Sequence, residues 1–354
     1  MTNMCGTVAT LMLLPTIAFA QVRSFKSYSL DLNKSTGLIA KHWLSWSADG
    51  QYLGCSIKQS NQLLLKVIDL RTDKEVINLT AESKQPLTTV CKNNLCCFLP
   101  SGIVYADLDK IVKYTFSDNS SHSTSLDLKK DQNDNLIFPA FIHPHSKPHS
   151  CYLARANSSE IKMVEYDFNK RQFGTEIAWR PNSKVEICHC VISHDGKYLA
   201  VAVEEDGYLS SIIHMKIQGA DVVHVKTLQI AKKRIGDVRS MCYSSDFNYI
   251  YAGASSGHFI AWDVIKELDF QVAVSNSAIS ALDTLDSKLV VCTTYDESKK
   301  GNLHIIDREL LKVTHKIGVD SNYLQNVAYS PKLRQLATVG SDGIIKLWRY
   351  EDLK

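Results

Sequence analysis

The dipeptide Trp262-Asp263 ends a strand-like run, Gly257-His258-Phe259-Ile260-Ala261-Trp262-Asp263, and weaker copies of it recur along nearly the whole chain. The equivalent pairs are Ile68-Asp69, Tyr114-Thr115, Tyr166-Asp167, Met215-Lys216, Ile306-Asp307 and Trp348-Arg349. From first to last, the second residues are 46, 52, 49, 47, 44 and 42 positions apart. A period in the forties is that of a four-stranded unit repeated around a ring. Seven marks imply seven blades.

A second series runs in phase with the first. Ser47-Ala48-Asp49-Gly50-Gln51-Tyr52-Leu53 returns as Ser193-His194-Asp195-Gly196-Lys197-Tyr198-Leu199. Looser copies are Ser244-Ser245-Asp246-Phe247-Asn248-Tyr249-Ile250 and Ser330-Pro331-Lys332-Leu333-Arg334-Gln335-Leu336. Each reads as a polar hairpin turn followed by an apolar strand, with Asp supplying a local hydrogen bond and Gly a permissive backbone.

The Ser-x-Asp-Gly-x-Tyr-Leu runs, Ala252-Gly253-Ala254-Ser255-Ser256-Gly257 and the run from Gly340 through Asp342 and Gly343 to Trp348 together resemble the WD-repeat family of β-propellers. The resemblance covers the chain from about residue 21 to its end. It is clear in the blades carrying Ser193, Trp262 and Trp348, fair in the first, and poor in the second and third. It implies an all-β fold: a seven-bladed β-propeller of four-stranded antiparallel blades. The motif is specific for fold and nearly silent on function, because a propeller hosts unrelated activities. The family's hydrogen-bonded set combines a His ahead of the first strand, a Ser or Thr, an Asp in the second turn, and the Trp. In the last blade Thr338, Asp342 and Trp348 match, but no His does. Gly257-His258 is not that His, since it falls in the turn before the Trp-Asp strand. The blades are therefore expected to depend more on apolar packing than on that network.

Ring closure constrains the N-terminus. The seventh unit has candidate strands at 325–330, 335–340 and 344–350, which is one strand short. A three-stranded last blade would leave a bare edge and an open ring. Residues 22–32 alternate polar and apolar residues, as a half-buried strand should. This N-terminal strand is predicted to close the last blade. Residues 1–20 then have no place in the ring. The apolar stretch 8–17 is too short to span a bilayer, Pro15 interrupts it, and Ala18-Phe19-Ala20 precedes Gln21. This is the pattern of a cleavable export signal, although no Lys or Arg precedes it. The domain reading is a signal peptide at 1–20 and a propeller at 21–354. Export to the periplasm or secretory pathway follows if the signal is real; a fraying tail and a cytoplasmic chain is the alternative.

Composition sets limits on function. A formal charge of +3 is too small to argue for nucleic acid or an anionic membrane, and no basic stripe with interleaved aromatics occurs. No run of eighteen apolar residues suggests a membrane span. Of ten cysteines, Cys5 would leave with the signal. Most of the other nine are expected in the first two strands of a blade, with Cys55, Cys96, Cys97, Cys151 and Cys292 in the second. There they would act as small core hydrophobes. An odd number speaks against a disulfide framework and fits a reducing compartment better. Cys188-His189-Cys190 on a regular strand puts both sulfurs on one face and the imidazole on the other, so the three cannot chelate together. The stretch His143-Pro144-His145-Ser146-Lys147-Pro148-His149 aligns with the turn at Ser193 and is expected on an exposed loop, not in a metal site. Asn33, Asn78, Asn119 and Asn157 each begin an Asn-x-Ser/Thr triplet, which matters only in a eukaryotic secretory pathway.

Phosphate-cradling glycine loops, His-Glu-x-x-His and Cys-x-x-Cys are missing from the sequence. No catalytic, cofactor-binding or metal-ligating residues are assigned, and no cofactor is implied. The densest charge cluster is Lys226, Lys232, Lys233, Arg234 and Arg239, between the fourth blade's outer strand and the fifth blade's inner strand. A solvated loop is the plainer reading of it; an acidic peptide or phosphate-bearing ligand is the functional one. The chain reads as a non-catalytic interaction scaffold for a protein or peptide, with Lys232, Lys233 and Arg234 as partner-binding residues. It would act as a monomer by itself or as a subunit of a larger complex. The alternative is an exported propeller enzyme, a metal-assisted or lactonase-like hydrolase, whose only local support is the His143–His149 stretch.

Overall fold

The structure is a computed structural model that describes residues 24, 26–29, 41–59, 62–82, 96–107, 110–117, 120–125, 141–145, 147, 149–156, 158–181, 185–205, 208–219, 221–230, 235–286, 289–295 and 300–353. The expected export signal at 1–20 lies outside them. The described strands form seven four-stranded antiparallel sheets. Six blades are contiguous in sequence, at 41–82, 96–125, 141–179, 186–229, 238–273 and 281–322. The seventh takes three strands from 324–349 and its outer strand from Lys26–Ser29. That strand pairs antiparallel with Ile344–Arg349, setting Lys26 opposite Leu347 and Ser29 opposite Ile344. The predicted closure is thus observed at Lys26–Ser29, and most of the remainder of 22–32 lies outside the described residues.

Both repeat series have a structural counterpart. The dipeptide marks fall at the end of the third strand of every blade but the fourth, where the strand Tyr208–Gln218 runs two residues past Lys216. The Ser-Asp turns join first and second strands. Ser47 Oγ donates to Asp49 Oδ1 at 2.6 Å and accepts from Tyr52 N at 2.9 Å. Ser193 with Asp195 and Tyr198, and Ser244 with Asp246 and Tyr249, repeat these contacts at the same distances. Burial works against ionisation of Asp195, yet bonds from Ser193 and Lys197 hold its carboxyl below the usual range. These turns need a left-handed residue, and Gly50 and Gly196 supply it at φ 72° and 70°. The looser copies use the same conformation without glycine, at Phe247 (φ 59°) and, one position later in the turn, Arg334 (φ 53°). Left-handed backbone at a non-glycine residue costs about 1–2 kcal/mol, so the surrounding blade imposes the turn there.

The core lies between blades. Among the described residues, the buried apolar side chains form seven clusters, and each draws on two neighbouring blades. Trp43, Leu65 and Val67 of blade 1 meet Phe98, Ile103 and Tyr105 of blade 2, and Ala200 and Ile212 of blade 4 meet Tyr243, Ile250 and Trp262 of blade 5. Across the seam, Leu53, Cys55 and Ile57 of blade 1 pack on Ala337, Val339 and Ile345 of blade 7. Polar contacts reinforce this seam. Trp46 Nε1 donates to Ala328 O at 3.0 Å, and Tyr28 OH to Asp73 Oδ1 at 2.9 Å. Buried Lys66 donates to Ser29 O at 3.1 Å and to Glu75 Oε1 at 2.7 Å.

Cys96 and Cys97 lie in the inner strand Cys96–Leu99 of blade 2, not in a second strand as expected; Cys55 and Cys151 are in second strands. After the last long strand the chain adds a short 3₁₀ turn, Tyr350–Leu353, whose Tyr350 and Leu353 pack into the blade 6–7 cluster. Nothing in the repeat pattern announces it.

The family's polar network survives in one place and is broken in another. Trp348 Nε1 donates to Thr338 Oγ1 at 3.0 Å. Trp262 is equally buried, but its Nε1 has no hydrogen-bond partner among the described residues. Thr338 lies two residues beyond Leu336, which faces Trp348; in blade 5 the corresponding residue, two beyond Ile250, is Ala252. The acceptor has been lost while the donor stayed. Ala252→Ser restores an oxygen at this point and is expected to stabilise the ring by about 1 kcal/mol, read as a rise in the urea midpoint. A lower midpoint would show that the site has no room for the hydroxyl.

Candidate functional site

In an antiparallel blade, the outer-to-inner connections and the second-to-third turns share one end of the ring, here called the upper face. The connection from blade 4 to blade 5 leaves the outer strand Asp221–Gln229 and enters the inner strand Val238–Tyr243. Two isoleucines tie it down. Ile230 N donates to Ser210 O, and Ile235 O accepts from Leu209 N, each at 3.2 Å. Ile235 is 1% exposed and belongs to the blade 4–5 core with Leu209, Leu228 and Val238. Lys232, Lys233 and Arg234 themselves lie outside the described residues.

The other two cations of the predicted cluster are already engaged. Lys226 Nζ reaches blade 5, donating to Val264 O at 2.9 Å and pairing with Glu267 Oε1 at 2.8 Å. Arg239 pairs with Asp237 at 2.9 Å. Sequence reasoning missed the acids on the same face. Glu186 begins the inner strand of blade 4, Glu204 and Glu205 end its second strand, and Asp237 precedes the inner strand of blade 5. Their positions beside one connection were the available signal. Burial first, then the charges of Asp237 and Glu186, raise the Glu204 carboxyl above its ordinary range, while Arg239 and the Cys188 thiol pull it down. Its Oε1 is buried with no hydrogen-bond partner among the described residues. The described part of the patch has mixed sign, with Lys226 and Arg239 beside the carboxylates of Glu186, Glu204 and Asp237.

Cys188 lies below this rim and donates to Ala202 O at 3.3 Å. Burial, with Glu204 adding, pushes its thiol well up, so it is a poor nucleophile at neutral pH. The strand is not regular here. A bulge between Ile187 and His189 breaks the alternation. Cys190 joins the blade 3–4 core, whereas Cys188 packs toward blades 4 and 5. The two sulfurs thus face opposite ways, which corrects the same-face expectation and leaves chelation equally unavailable.

The histidine stretch is used structurally. His145 packs on the Tyr152 ring with centroids 4.6 Å apart, and its Nε2 is 3.8 Å from Glu165 Oε2. Lys147 holds both oxygens of Glu165, at 2.8 and 2.9 Å. His143 is half-buried and its Nδ1 lies 2.7 Å from Pro144 O; burial lowers its pKa to about 4. The carboxylate that could complete a ligand set is thus occupied by an ammonium. Among the described residues, no group of three or more His, Cys, Asp or Glu is placed to hold a metal ion. No described helix is long and apolar enough to cross a membrane.

The family model of the WD domain, G-beta repeat, matches residues 312–349, from the outer strand of blade 6 through the third strand of blade 7. The chain is a seven-bladed β-propeller, and the matched stretch is a WD repeat within it. No curated protein matches the sequence. A chain in the solved structure entitled "Crystal Structure of Mitotic Checkpoint Complex" superposes with a TM-score of 0.65, covering 99% of this chain and 97% of that one at 13% identity. At that identity the likeness concerns the fold. WD-repeat propellers generally mediate protein–protein interactions, and neither comparison singles out a partner or a surface.

Proposed function

We propose that this propeller is a non-catalytic interaction module that docks a peptide or protein segment on its upper face, at the connection between blades 4 and 5. The observation that carries this reading is the pair of backbone anchors at half-buried Ile230 and buried Ile235. They fix the ends of a segment whose Lys232, Lys233 and Arg234 are all cationic. A partner segment would bring acidic side chains to these three residues, and a hydrogen-bond donor to Glu204 would relieve its unpaired oxygen. Replacing all three cations by Glu should weaken partner capture, most strongly at low salt, and leave the melting temperature nearly unchanged, since exposed charges contribute little to folding. Quantitative affinity capture with mass spectrometry reads the first effect, and calorimetry the second. Unchanged capture would move the docking site elsewhere on the ring.

The same reading includes export, with the mature chain beginning at Gln21. The cysteines were the main objection. Cys55, Cys96, Cys97 and Cys151 are fully buried, and burial raises their thiols far above the ordinary range. Such thiols are inert in an oxidising compartment as in a reducing one, so the objection loses its force. Mass analysis of protein from its native host should find Gln21, or its cyclised form, at the N-terminus; an intact Met1 or Thr2 would contradict export.

A further inference from the structure

Among the described residues, every blade has an outer strand with one unpaired edge, a template for pairing with another chain. The chain protects these edges in most blades. In blades 1, 4 and 6 an extra residue, Val76, Val225 or Thr314, bulges from the outer strand close to the dipeptide mark. In blade 3 the register shifts at the same place, between Val164 and Tyr166. Blade 7 has the described strand Lys26–Ser29 at its edge, with Lys26 ion-paired to Asp73. The outer strand of blade 2, Ser120–Ser125, has the sequence Ser-Ser-His-Ser-Thr-Ser, without an apolar residue.

Blade 5 has none of these devices. Its outer strand Leu268–Ala273, with the sequence Leu-Asp-Phe-Gln-Val-Ala, pairs with the third strand over six consecutive residues without a bulge. It contains no Lys, Arg or Pro. At its start the apolar surface is unusually open: Ile265 is 67% and Leu268 52% exposed. Phe270 and Val272, on the same side of the strand as Leu268, are only partly buried.

We propose that this edge is a self-association site, and that two copies of the chain pair through Leu268–Ala273 in antiparallel orientation, joining two blades into one eight-stranded sheet. The strand's own sequence argues for a second copy as the occupant. A two-fold pairing centred on Phe270 sets Leu268 of each copy opposite Val272 of the other, so the apolar rows match. Asp269, the only charged residue in the strand, then faces Gln271 of the other copy and not a second carboxylate. The two side chains already bond within one chain, Gln271 Nε2 donating to Asp269 Oδ2 at 2.7 Å. Outside the strand, Glu267 comes opposite Ala273 and Lys266 opposite Val274, so no like charges meet. The contact is small by the standard of obligate dimers, which places it among reversible associations.

Sedimentation of the full chain across the micromolar range tests this. The mass should rise with concentration toward twice 39.7 kDa. The double variant I265K/L268K should stay monomeric with an unchanged melting temperature, because both side chains are exposed. The double variant D269C/Q271C should form an intermolecular disulfide under mild oxidation, and neither single variant should do so, since position 269 faces 271 and not itself. A chain that stays monomeric throughout, an I265K/L268K variant that associates like the wild type, or cross-linking by the single variants as readily as by the pair would each overturn the proposal.

Discussion

A four-stranded blade is one sheet thick and cannot enclose a core of its own. The apolar layers of this chain lie between blades, and each needs two of them. Seven such layers in a closed cycle leave no blade with an open face, provided the cycle closes. The chain is contiguous across six of the seven interfaces. At the seventh, closure depends on Lys26–Ser29 and on the contacts that Trp46, Lys66 and Tyr28 make across the seam. Lys66 binds the backbone of the closing strand from a nearly solvent-free position, so its ammonium relies on Ser29 O and Glu75 for the hydrogen bonds that water would supply.

This dependence explains which parts of the fold were legible in the sequence. The Trp-Asp marks end strands at fixed places in the repeat, and the Ser-Asp turns need particular side chains, so both left residue-level traces. The three strands of the last blade were placed within one residue of 324–330, 335–340 and 344–349. Where packing between blades dictates conformation, the trace fades. Phe247 and Arg334 take left-handed turns that their own chemistry disfavours. The bulge at Cys188, the inner-strand position of Cys96 and Cys97, and the terminal 3₁₀ turn depend on neighbouring strands, not on local pattern.

The candidate site was less legible for a similar reason. A run of Lys and Arg is visible as a run, but its meaning depends on what the ring places beside it. Lys226 and Arg239 belong to the same cluster in sequence, yet one links two blades and the other neutralises Asp237. The carboxylates of Glu186 and Glu204 come from strands far from the loop in sequence and reach its neighbourhood only because strand ends gather on one face. The histidine stretch shows the reverse case. Its spacing suggests ligands, and the fold spends it on packing against Tyr152 and on a pairing with Glu165.

If ring closure governs the stability of the whole molecule, losing the closing strand must be felt everywhere and not only in blade 7. Calorimetry of the chain lacking residues 21–34, beside the intact propeller, tests this most directly. The expected result is loss of the cooperative transition, or its displacement as a whole to lower temperature, because one opened interface exposes the apolar layer between blades 7 and 1. Unfolding at the same temperature with the same enthalpy would contradict the account, for it would mean that the ring holds without its N-terminal strand.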